Sequence, residues 1–131
     1  MPKETGNKIS VWHIEENRSN LNRVAAAIAS GRSNIANLDY ALFQQETVNL
    51  AGITVREAPG ETADDGANTQ WHRDLIELTA NKLVRLAKEM YSEAEIVRMQ
   101  HLEVSRLVRQ GIDSKKIQQG RLKDSLVKDL S

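Results

Sequence analysis

The sequence predicts an all-α protein: a helical bundle built on one long helix over about 70–110, straight or bent, with two shorter N-terminal helices and a short C-terminal helix. Three observations lead there. The 131 residues include only one Phe, two Tyr and two Trp, so the core must be filled by Ala, Val, Ile, Leu and Met, the residues of helix–helix contacts. Residues 71–110 contain neither Gly nor Pro. Within them Ile76, Ala80, Leu83, Ala87, Met90, Ala94, Val97, His101, Val104 and Val108 step by four and three without a slip, the 3.5-residue repeat of a coiled-coil seam.

The elements follow in chain order. Residues 8–14 fit a short strand or the opening of a helix, because seven residues do not separate the two periods. From about Glu15 to Ser30, Leu21, Val24, Ala25 and Ile28 fall on one helical face, and Gly31 is placed to end that helix. Ser33 or Asn34 can cap a second helix reaching about Leu50, with Ile35, Leu38 and Leu42 as its stripe. Residues 52–70 hold a β-like run, Ile53–Glu57, followed by a stretch rich in Gly, Pro and acids. This is expected to be a flexible acidic loop, since it has little apolar surface with which to order itself.

In the long helix Leu75, Leu86, Met99 and Leu107 widen the stripe beyond what a two-stranded seam covers. Ser92-Glu93-Ala94-Glu95 has the form of a capping box, which would divide the helix in two, but the unbroken seam favours continuity. Gly111 is expected to end it. Residues 112–131 then carry Ile117, Leu122, Leu126 and Leu130 as a last helix that would order against a partner. The whole, 1–131, is read as a single domain.

Function is less legible. The chain has no cysteine, which excludes disulfides, thiol nucleophiles and cysteine-based metal sites. No apolar run approaches the roughly 20 residues needed to cross a bilayer, and Met1–Lys8 lacks the apolar region of a signal peptide, so a cytoplasmic protein is expected. His13, His72 and His101 show no metal-ligand spacing, and no cofactor is expected. His101, in the seam, reads as a partly buried histidine. The adjacent carboxylates Glu15-Glu16 and Asp64-Asp65 read as solvated charges, because neighbours on a helix diverge by about 100°. No nucleophile elbow, Walker loop or dinucleotide fingerprint is present, and the protein is read as no enzyme.

Ser33-Asn34-Ile35-Ala36-Asn37 resembles the S-N-I-A-N element of flagellar rod and hook proteins. That similarity covers five residues and ends at Leu38-Asp39-Tyr40-Ala41, and no family is assigned on it.

The leading expectation is therefore an assembly or adaptor protein, a homo-oligomer or a subunit docked on a larger complex, using Ile76, Leu83, Met90, Val97, His101, Val104 and Val108 as its interface. The alternative rests on charge. Basic and acidic residues balance at 18 each, yet residues 1–70 hold 6 basic and 9 acidic side chains and residues 71–131 hold 12 and 9. The helix–glycine–helix outline around Gly111 makes a small DNA-binding protein the second reading, with Arg106, Arg109, Lys115, Lys116, Arg121 and Lys123 on the nucleic acid.

Overall fold

The alternation in residues 8–14 resolves as a strand, the first sign that helical periodicity does not govern this chain. In the computed structural model, which describes residues 8–131, the protein is mixed α/β, 48% helical and 19% strand. It is neither all-α nor a helical bundle, and among the described residues there is no coiled coil. Residues 1–7, where the absence of a signal peptide was read, lie outside the described residues.

The order is β1 (Ile9–Trp12), α1 (Leu21–Ser30), β2 (Leu38–Leu42), α2 (Gln45–Leu50), β3 (Thr54–Glu57), α3 (Asp65–Gln70), β4 (His72–Ile76), α4 (Ala80–Glu93), β5 (Glu95–Met99), α5 (His101–Asp113) and α6 (Asp124–Leu130), with a 3-10 turn at Gln119–Arg121 before α6. The strands form two antiparallel sheets, one in the order β1-β4-β3 and the other pairing β2 with β5.

The long helix of 70–110 is thus β4, α4, β5 and α5 in succession. Its seam crosses all four: Ile76 ends β4, Leu83 and Met90 lie on α4, Val97 is in β5, and His101, Val104 and Val108 are on α5. It is broken twice, the first time locally. Glu77 adopts a left-handed backbone at φ 59°, which no helix or strand continues, and Thr79 then caps α4 by accepting from the Lys82 amide at 3.2 Å. The second break is non-local. Glu95–Met99 leaves the helix at Ala94 to pair with β2, in the register Leu38↔Met99, Tyr40↔Val97 and Leu42↔Glu95. Those partners lie far upstream, so nothing in the window itself announces them.

The same pairing replaces the front of the expected second N-terminal helix, of which only Gln45–Leu50 is helical, as α2. Leu38, Tyr40 and Leu42 satisfy period two as well as Leu38 and Leu42 satisfy a helical turn, and β5 supplies the hydrogen bonds that decide between them. The capping-box serine, Ser92, sits in the last turn of α4 and starts no helix.

Two cores result. The larger gathers Ala25, Ala26 and Ala29 of α1, Leu38, Ala63, Val104, Leu107 and Val108 of α5, and Ile117, Leu122 and Leu126. The smaller holds Val48, Ala51, Ile53, Leu75, Leu78 and Leu86. The 112–131 segment therefore packs on its own chain: α5 runs through Gly111 to Asp113, and Leu126 is fully buried. Gly111 is internal to α5, and the close approach of buried Ile117 there leaves no room for a side chain, since a Cβ would lie 2.5 Å from its Cδ1.

The stretch read as a loop, 52–70, carries β3 and α3 and is tied down by Asp64. This carboxylate is completely buried, caps α3 by accepting from the Ala67 amide at 3.0 Å, and takes two hydrogen bonds of 2.8 Å from the Arg23 guanidinium of α1. Reading it as a solvated charge is overturned. Around it Asn68 donates to the Thr62 carbonyl and accepts from the Thr62 amide and hydroxyl. Ser30 accepts from the Ala63 amide and the Gln118 amide donates to the Ala63 carbonyl.

Burial alone would raise the Asp64 carboxyl, but the Arg23 guanidinium, the Ala67 amide and the nearby Lys116 charge together hold it below the usual carboxylate range. A carboxyl lowered in the folded state stabilises it fully above the unfolded value of about 3.9 and loses that contribution as pH falls through the folded value. Asp64→Ala is accordingly expected to lower the unfolding free energy by about 3–5 kcal/mol at neutral pH, by stranding Arg23 and uncapping α3. Urea titration measures this, and the difference from wild type should shrink at the most acid pH where both remain folded. Gly66→Ala is expected to destabilise in the same assay despite its better helix propensity, because the new Cβ would overlap Nη2 of Arg23.

Candidate functional site

α4 is held by one buried residue, Leu86. At about 100° per residue, Ala80, Val84, Ala87 and Tyr91 lie roughly 100–160° round the helix from it, and all four are exposed. Val84 keeps 59% of its surface and Tyr91 94%. Leu83, 39% exposed, and half-buried Met90 fill the arc between this stripe and the core. On the inner side, Arg85 donates to the Leu50 carbonyl and Lys82 to the Glu77 carbonyl, holding α4 on α2 and on the turn after β4.

The apolar surface continues along the chain. In the β2–β5 ribbon, Leu38, Tyr40, Val97 and Met99 share the face on the larger core. Alternation puts Ile96 on the opposite face beside Ala41, where it is 73% exposed, and Leu102, at the start of α5, is 74% exposed. That outer face is otherwise polar, with Arg98 and Asp39 joined by two hydrogen bonds of 2.7 and 2.9 Å. The guanidinium holds the exposed Asp39 carboxyl below the usual carboxylate range.

Other expected residues are placed as follows. Val104 and Val108 lie inside the larger core, Val97 is half-buried in β5 opposite Tyr40, and Ile76 is half-buried in β4. His101 is exposed, not seated in a seam, and its amide donates to Asn37 at the start of α5. Of the basic set, Arg106 pairs with Glu103 one turn back, Arg109 donates to the Leu130 carbonyl, Arg121 binds Asp65, and Lys123 donates to the Gly31 carbonyl. Lys115 and Lys116 lie in the turn after α5. All six are exposed, and four of them are engaged in these contacts within the chain.

The polar clusters of the molecule are largely turned on themselves. His72, buried on β4, contacts the Ala58 carbonyl through Nδ1 at 2.9 Å, meets Trp12 edge to face, and lies 4.0 Å from the buried carboxylate of Asp74. Lys8 and Arg56 approach the same carboxylate at 3.8 and 3.5 Å. An open pocket between residues 15–20 and Trp71 has its best donors already committed: Asn20 serves the Glu15 amide and the His13 carbonyl, and Arg23 serves Asp64 while lying 5.2 Å from the Trp71 ring centre. Among the described residues no group of three His, Asp or Glu side chains could hold a metal ion, and no helix is long and apolar enough to cross a membrane.

The sequence reading missed the exposed stripe because it assigned Ala80 and Ala87 to the same seam as Leu83 and Met90. It also missed Arg23, Asp64 and Asp74. A signal for Asp64 was present, since an Asp followed by a further acid at the start of a helix is a capping pattern.

No protein-family model matches the chain, and neither a curated protein nor a solved structure is similar to it.

The two faces of α4 should respond differently to truncation. Leu86→Ala is expected to cost about 2–5 kcal/mol in urea or thermal unfolding, whereas Val84→Ala should stay within about 0.5 kcal/mol. Equal losses would show that Val84 is part of the core.

Proposed function

We propose that this protein is a non-enzymatic assembly module that works by associating with copies of itself or docking on a larger complex. The supporting observation is the run of strongly exposed apolar side chains at Val84, Tyr91, Ile96 and Leu102. Single exposed apolar residues are ordinary; a succession of large ones across one helix, the following strand and the next helix start supports a role in protein contacts. The expectation of assembly is kept, while its location moves from a continuous seam to the outer side of α4 and β5. The DNA-binding alternative is not advanced, because four of its six basic residues serve intramolecular contacts.

Sedimentation velocity across the micromolar range tests the reading. The sedimentation coefficient is expected to rise with concentration, and Val84→Asp with Ile96→Asp to flatten that rise while the circular dichroism spectrum is retained. A compact monomer at every concentration would remove self-association and leave only docking on another protein.

A further inference from the structure

We propose that α4 pairs with α4 of a second copy, antiparallel, about a two-fold axis passing between Val84 and Ala87; this rests on the self-association reading above. The stripe Ala80, Val84, Ala87, Tyr91 steps by four, three and four, which keeps it on one side of a helix that packs against another. It is also self-complementary. An antiparallel two-fold centred between residues 85 and 86 sets Ala80 against the partner's Tyr91 and Val84 against the partner's Ala87, and each layer recurs by symmetry. Every layer then opposes a small side chain to a large one, the condition for two helices to approach closely without voids.

The flanks agree with the same axis. On the side toward the core Leu83 faces the partner's Met90, continuing the apolar surface. On the far side Asn81 faces the partner's Lys88, so no like charges are opposed. A parallel pairing would set Tyr91 on Tyr91 and Ala80 on Ala80, crowding one end and leaving a gap at the other. Because α4 is 14 residues long, about 21 Å at 1.5 Å per residue, such a contact falls among the smaller, concentration-dependent interfaces below about 1,200 Å².

The absence of cysteine makes an introduced thiol unique. Ala80→Cys and Tyr91→Cys, both at exposed positions, are prepared separately, mixed in equal amounts at high micromolar concentration and oxidised mildly. Non-reducing electrophoresis and mass spectrometry then count the disulfides. The expected result is a mixed 80–91 disulfide several-fold above its statistical share, together with at least a tenfold weaker dimer for Val84→Asp at unchanged melting temperature. A protein that sediments as a dimer but gives like disulfides, a statistical mixture or a dimer indifferent to Val84→Asp overturns the α4 pairing and leaves self-association standing, with the open edge of β5 as the other route. A monomer with a statistical mixture overturns both.

Discussion

The pairing of Arg23 with Asp64 is the constraint on which the rest of the molecule depends. It joins α1, in the larger core, to the first turn of α3, whose last residue is two positions before β4 of the smaller core. One buried carboxylate does three things: it neutralises a guanidinium, caps a helix and orders a segment poor in apolar side chains. The intrinsic stability of α3 is low, since it has six residues and contains a glycine. It exists because Asp64 and Asn68 give its entry turn hydrogen-bond partners that are already held in place. The net gain from a buried ion pair is small, but the cost of breaking it is large, so this contact acts more as a lock on the arrangement of the two cores than as a source of stability.

That lock also explains why an apolar surface is left over. With α1, α5 and α6 closing the larger core and the β1-β4-β3 sheet facing α2 and α4 in the smaller one, α4 is needed only for Leu86 and parts of Leu83 and Met90. Its apolar arc is wider than the surface available to receive it. The β2–β5 ribbon has the same excess: one face is spent on the larger core, and Ile96 is left on the other. A two-stranded ribbon keeps two unpaired edges, so α4 and β5 together form the part of the molecule least satisfied by its own chain.

The charge pattern takes on a different meaning in this light. The excess of basic residues after position 70 looked like a surface for an anionic partner. In the fold much of it is consumed inside the chain, where Arg121 meets Asp65, Arg109 closes the end of α6 and Lys123 closes the end of α1. Cations at the C-terminal ends of helices complement the exposed carbonyls there.

By itself the sequence determined the apolar positions, the short N-terminal helix around Val24–Ile28 with its end at Gly31, and the strand-like run at Ile53–Glu57. It did not determine whether Leu38–Leu42 and Glu95–Met99 are helix or strand. Their apolar spacing satisfies both periods, and the deciding hydrogen bonds come from each other across more than fifty residues. The 3.5-residue seam was real as a pattern and misleading as a structure: each strand it crosses holds only one of its residues, and Ala80, Leu83, Ala87 and His101 on its helices are exposed. Nor could the sequence show which of two apolar faces on α4 is buried. Leu86 and Val84 are chemically alike, and only the position of the smaller core made one a packing residue and left the other open to a partner.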